Sequence, residues 1–204
     1  MSKLIFHYSA MNAGKSAQLL QKNHNLDSKG FTTTIYTSSS DDRYGTGKVT
    51  SRVGIQADAL TFTKETKFLE EPLGDCRYLF IDEAQFLSKK QVLDLTTLVD
   101  EKNITIFCYG IRTDFKGEPF EGATYLMAWS DDIVEIPSYD SNAKKAMMNI
   151  RTSSTGKRVW HGTQVQVGLN YETVHRSEFN LRKAIATGPQ SAKNIDVWSV
   201  YRPG

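Results

Sequence analysis

The segment Ser9-Ala10-Met11-Asn12-Ala13-Gly14-Lys15-Ser16 constrains this chain more than any other, because it joins two stretches of opposite character. Before it, Lys3 to Tyr8 is a short apolar run that reads as a strand. After it, Lys15 to Lys29 carries good helix formers and meets Gly30, a residue suited to a helix stop. Strand, glycine-containing turn and helix together form the setting of a phosphate-binding loop. Gly14 lets backbone approach an anion, while successive N–H groups and the helix N-terminus aim at phosphate oxygens. Lys15 supplies positive charge and the Ser16 hydroxyl suits magnesium. Ser9 stands where the strict pattern has glycine, so the loop taken alone leaves an ordinary strand-to-helix turn open.

The rest of the first two thirds repeats the alternation. Phe31 to Thr37 is rich in β-branched and aromatic residues and reads as a strand. Asp41 to Gly54, with Gly45, Gly47 and Gly54 among polar residues, reads as a long mobile loop of the kind that usually serves a function. Arg77 to Asp82 and Ile104 to Tyr109 are nearly continuous apolar runs, as expected of strands covered on both faces. Ser88-Lys89-Lys90-Gln91 fits a capping box, and Val92, Leu95 and Val99 follow at helical spacing. Glu121 to Trp129 reads as a further helix and Asp132 to Ile136 as a last strand. Alternating strands and helices imply a mainly parallel sheet flanked by helices, an α/β core of the P-loop NTPase type over residues 1–136.

After Pro137 the texture changes. Ala146 to Ile150, a Ser/Thr/Gly-rich stretch to Gly162, the alternating Gln164 to Val167 and a short helix from Glu178 to Ala186 read as a small β-rich appendage over 137–186. The tail at 187–204 carries Gly188 and Pro189 without periodicity, and is expected to be poorly ordered.

Composition removes several classes. A chain of 204 residues, 39% hydrophobic, holds one well-buried domain plus an appendage. Its 25 basic and 23 acidic residues are interspersed for a formal charge of +2, which leaves no footprint for nucleic acid or an anionic membrane. Met1 to Ala10 is too short and too polar for a signal peptide or membrane span, and the expected location is the cytoplasm. Cys76 and Cys108, each beside or inside a strand, read as free buried thiols.

Asp82-Glu83 closes the apolar run at Arg77 to Asp82, at the strand edge where ligands of α/β sheets collect. Two adjacent acids next to a phosphate loop allow a division of labour. Asp82 is assigned to the magnesium shell and Glu83 to accepting a proton from the attacking hydroxyl. Capping the following helix is a reasonable alternative for one of them.

SAMNAGKS, DDR at Asp41 to Arg43, DEAQF at Asp82 to Phe86 and YGIRTDFKGEPF at Tyr109 to Phe120 together closely resemble the type II thymidine kinases, over about Ser2 to Gly168. The resemblance implies an ATP-dependent kinase that phosphorylates the thymidine 5'-hydroxyl, with magnesium as cofactor. It implies that Ser9 to Ser16, with Asp41, bind the ATP phosphates, and that Lys15, Arg43 and Glu83 are catalytic. It places Met11, Gln85, Phe86, Phe115 and Phe120 around the nucleoside, with Phe86 against the pyrimidine. Without it, core packing would be the preferred reading of these aromatics. It further implies a lasso over the base between Arg151 and Gly168, with Val165, Gly168 and Tyr171 on the substrate side, and a homotetramer as the assembly.

Two departures accompany the likeness. The family's lasso is clamped by zinc on four ligands, mostly cysteines, whereas Asp140 and Asn142 occupy the first pair here and Ser177 and Asn180 stand near the second. With no cysteine after Cys108, no structural zinc is expected, and His161 and His175 read as surface or hydrogen-bonded residues. The tyrosine that usually follows the lasso is matched by Thr173 or, with a register slip, by Tyr171. Two rival readings stay open: a kinase of different or broader deoxynucleoside specificity, and a P-loop ATPase or nucleotide-sensing module. A GTPase is disfavoured because no N-K-x-D motif occurs.

Overall fold

The computed structural model describes residues 1–40, 47–164 and 170–180. Its first strand, β1 (Leu4–Ser9), runs into helix α1 (Lys15–Asp27) through the loop singled out above. Then follow β2 (Thr33–Ser38), β3 (Lys48–Thr50), β4 (Gln56–Asp58), β5 (Leu60–Phe62) and β6 (Tyr78–Ile81). A single 3-10 turn at Ala84–Phe86 precedes α2 (Lys89–Lys102), β7 (Thr105–Ile111), α3 (Glu121–Trp129) and β8 (Asp132–Glu135). The remaining strands are short: β9 (Ser138–Tyr139), β10 (Lys145–Ala146), β11 (Met148–Thr152), β12 (Arg158–Val159) and β13 (Asn170–Val174).

Six strands form one all-parallel sheet in the order β5-β2-β6-β7-β1-β8. Because side chains alternate across a strand, β1 divides its load between two layers. Leu4 and Phe6 pack with Leu79, Ile81 and Ile106 under α2 and α3. Ile5 faces the other layer with Leu19 and Leu20 of α1, Phe80 and Phe107. Both faces are therefore covered, which is why these strands read as continuous apolar runs.

The capping box on α2 forms as its sequence predicts. Ser88 Oγ accepts the Gln91 N–H at 3.2 Å and Gln91 Oε1 accepts the Ser88 N–H at 3.0 Å. Elsewhere the sequence reading needs correction. Part of the expected loop through Gly54 is the antiparallel hairpin β3-β4, and β5 adds an edge strand parallel to β2. Three-residue strands are shorter than any window in which period-2 patterning can be seen, so their pairing comes from tertiary contact. Of the strand expected at Gln164 to Val167, Gln164 lies in a bend and 165–167 fall outside the described residues; the next described strand is β13. The short helix begins earlier than expected, at 176, and its continuation past 180 falls outside the described residues, as does the 187–204 tail.

The appendage is a three-stranded antiparallel sheet, β12-β11-β13, beside the small β9-β10 pair. Ile150, Val174 and Phe179 form its own small core, with Met148 packed against it. Among the described residues no helix is long and apolar enough to cross a membrane.

Candidate active site

The loop after β1 is shaped by its glycine. Gly14 takes φ +82, in the left-handed region, with open space where a Cβ would stand, so conformation rather than room dictates glycine here. Gly14 is also the N-cap of α1 and offers no side-chain hydrogen bond to the first turn. The first amides of α1 thus have no side-chain cap and remain available to an anion. Lys15 is folded back and almost buried, its Nζ donating to Ser9 Oγ at 3.1 Å and to the Ala10 carbonyl at 3.0 Å. The serine that replaces the usual first glycine is therefore one of the groups that hold the lysine.

From the end of β6, two strands away, the acids reach the same place. Ser16 Oγ donates to Asp82 Oδ2 at 2.9 Å, and the Glu83 N–H donates to Asp82 Oδ1 at 3.0 Å. Burial raises the Asp82 pKa to about 7, and the neighbouring Glu83 charge adds to the rise. The two hydrogen bonds and Lys15 pull in the opposite direction without cancelling it. A hydroxyl and a carboxylate oxygen brought together are hard donors of the kind magnesium takes alongside water and phosphate oxygens.

Glu83 adopts φ +52, a left-handed conformation uncommon for a residue with a side chain, and it caps the 3-10 turn. Its carboxylate accepts a hydrogen bond from Gln85 Nε2, while Gln85 Oε1 accepts the Ile111 N–H at 3.2 Å. The second bond fixes which end of the Gln85 amide faces which partner, so the nitrogen must present itself to Glu83. Gly110 makes room for this: a Cβ there would lie 2.9 Å from Gln85 Oε1 and 3.1 Å from the Gln85 backbone nitrogen. An open cavity of about 230 Å³ is lined by Met11 to Ala17, by 50–53, by Glu83 and by Ile111.

The residues expected around a nucleoside fall into two groups. Phe86 and Phe120 meet edge to face, with ring centroids 5.6 Å apart, and Phe120 is buried in the main core. Phe115 is buried on another side, where the Arg151 guanidinium lies 3.7 Å from its centroid and bonds the Tyr171 hydroxyl from Nε at 3.0 Å and Nη2 at 2.7 Å. Gln85, with both ends of its amide engaged, is 2% exposed. Asp41, Arg43, Val165 and Gly168 lie outside the described residues.

Sequence reasoning missed Asn149, Ile111 and the hairpin residues at 50–53. Asn149 Oδ1 accepts the Met11 N–H at 2.8 Å. Its only signal was an amide inside an apolar strand run. At the start of the appendage, Asp140 Oδ1 accepts the N–H groups of Asn142 and Lys144 at 2.8 and 2.9 Å, and chiefly the Lys144 amide holds its carboxyl below the usual range. His175 Nδ1 bonds Ser177 Oγ at 2.8 Å. Turns in this region are thus held by hydrogen bonds, and among the described residues no cluster of three His, Cys, Asp or Glu side chains forms a metal site.

Comparison with known proteins places the chain among relatives of one kind. The family model described as thymidine kinase matches residues 2–179. The chain is 45% identical to the thymidine kinase of Vibrio vulnificus (strain CMCP6), across 88% of this chain and 97% of that protein. It is 45% identical to that of Shewanella oneidensis with the same coverage, and 44% identical to that of Xanthomonas campestris pv. campestris (strain 8004), across 88% of this chain and 90% of that protein.

Proposed function

Because the chain belongs to the thymidine kinase family, we infer that it transfers the γ-phosphoryl group of ATP to the 5'-hydroxyl of thymidine and releases thymidine monophosphate. The observation that carries this reading is the shared cavity: Glu83 lines the same space as Met11 to Ser16 of the phosphate loop, so a proton acceptor and a phosphate cradle face one another.

In this mechanism the uncapped amides at the start of α1 and the Lys15 ammonium bind the ATP phosphates. Lys15 exchanges its contacts with Ser9 and the Ala10 carbonyl for phosphate oxygens, whose charge is the stronger attraction. Glu83 takes the 5'-hydroxyl proton as that oxygen attacks, and Gln85 keeps its carboxylate aimed. Ser16 and Asp82 would hold magnesium, which when bound neutralises phosphate charge. Arg43 and Asp41 are assigned to the transferred group by the family resemblance alone. Phe86, Phe115, Phe120, Met11 and Tyr171 line the nucleoside side on the same ground, with Val165 and Gly168 on the lasso. Positioning and charge neutralisation carry most of the acceleration.

We read the chain as cytoplasmic and homotetrameric. Its two thiols are free and buried, and Trp129, Ile133 and Val134 are exposed on α3 and the edge strand β8, giving apolar surface for association.

A Glu83→Gln variant tests the central claim. Thymidine turnover should fall about 100-fold or more while ATP affinity stays within about twofold of the parent. Near-normal turnover would remove Glu83 from the role of base. Turnover of ATP at the same rate with and without any nucleoside would favour an ATPase, and a panel of deoxynucleosides would reveal a broader specificity.

A further inference from the structure

Strand β11 presents two polar side chains, Asn149 and Arg151, on the face opposite its small core, and both are almost completely buried, 2% and 0% exposed. Polar groups in such a position are costly unless bonded, so their partners reveal what the strand is tied to. Arg151 reaches the nucleoside side: it lies over Phe115, bonds Tyr171, and donates from Nη2 to the Thr163 and Gln164 carbonyls at 3.0 and 3.4 Å. Asn149 reaches the phosphate side through its 2.8 Å bond from the Met11 N–H. Its Nδ2 donates to the Thr113 carbonyl at 3.4 Å, and Thr113 is bridged to Pro119 at the base of the turn that carries Phe115.

We propose that Asn149 is a positioning residue that couples the two substrate sites, holding the phosphate loop by the Met11 amide while the rest of β11 is held by the nucleoside-side elements. The proposal rests on the functional reading above, which assigns Phe115 and Tyr171 to the nucleoside. When a nucleoside settles between these elements, it orders β11, and Asn149 passes that order to the Met11 peptide, the entry to the phosphate cradle. The same link runs in reverse when ATP orders the loop, since coupling between two binding sites is reciprocal. Asn149 touches neither reacting group.

The test is calorimetric titration of the full chain with thymidine, alone and after saturation with a non-hydrolysable ATP analogue and magnesium. The parent should bind thymidine about fivefold or more tightly with the analogue present. In Asn149→Leu, which keeps bulk and loses both bonds, each ligand still binds but the two affinities fall within about twofold of each other. Asn149→Asp keeps an acceptor for the Met11 N–H and should retain most of the parent's ratio, a rescue that loss of packing alone would not produce. Ile150→Val, in the small core on the other face of β11, should leave the ratio unchanged. If the Leu variant does not fold, Asn149→Ala takes its place with the same expectation. A parent ratio within twofold of one, or a Leu or Ala variant that keeps the parent's ratio while the parent phosphorylates thymidine, overturns the coupling alone. Loss of the ratio in Asn149→Asp overturns the Met11 link. A parent that binds ATP but neither binds nor phosphorylates thymidine overturns the functional reading and the coupling with it.

Discussion

Asp82 is buried beside the Glu83 carboxylate, and the nearby Lys15 charge does not make that environment favourable to a second carboxylate. It is 4% exposed and its pKa is raised to about 7, by burial first and the Glu83 charge second. A carboxyl group whose folded pKa lies above its unfolded value near 3.8 binds protons better in the folded state. Stability from this group is therefore full below pH 3.8 and declines as pH rises towards 7. Asp82→Asn keeps an oxygen for the Glu83 N–H, and the Ser16 hydroxyl can turn to accept from the new amide. The variant should melt about 5 °C higher than the parent at pH 8, with the gain shrinking towards pH 5, while thymidine kinase activity is lost. A melting series across that range checks the sign. No gain at pH 8 would mean that Lys15 and the hydrogen bonds already offset the burial.

The 3-10 turn at Ala84–Phe86 is capped by Glu83, which lines the cavity, and carries Gln85 behind it, and α3 is what holds that turn in place. The contact is backbone on backbone. A Cβ at Gly122, in the first turn of α3, would lie 2.6 Å from the Ala84 carbonyl oxygen, 2.7 Å from that of Leu87 and 2.8 Å from that of Gln85. Carbonyl oxygens of a tight turn cannot step aside as a flexible side chain can, so Gly122→Ala must push α3 away. The expected cost is about 2–3 kcal/mol, read as a melting temperature lower by roughly 5–10 °C, with catalysis falling further than stability because the Glu83 and Gln85 pair moves with the turn. Gly14 shows the other use of glycine, where space is free and only the backbone angle matters.

Taken as a three-layer molecule, the protein is also sensitive to acid through its other sheet face. His7 on β1 is stacked on Tyr109 with centroids 4.5 Å apart, and burial, with a smaller contribution from the Lys22 charge, lowers its pKa to about 4. The unfolded chain then binds more protons between pH 6.5 and 4, so stability falls as pH drops through that window, opposite in sign to the Asp82 effect. His7→Phe should flatten the decline in melting temperature between pH 6.5 and 4, and an unchanged slope would clear His7 of the effect. The sheet, its three helices and the phosphate loop were legible in the chain because each rests on local signals: apolar runs of four to seven residues, the Ser88 to Gln91 capping box, and a glycine before Lys15-Ser16. The β3-β4 hairpin and edge strand β5 were not, because three-residue strands carry no period of their own. Nor was the role of Asn149, whose partner Met11 lies 138 positions away. By itself the sequence determined the α/β alternation and marked the loop before Lys15-Ser16 and the Asp82-Glu83 pair as candidates for phosphate and proton chemistry, since backbone preference and side-chain type act locally. Only the tertiary structure decided that Glu83 shares a cavity with the phosphate loop, that Ser9 holds Lys15, and that β11 joins the two sides, because those pairings depend on which distant strands pack together.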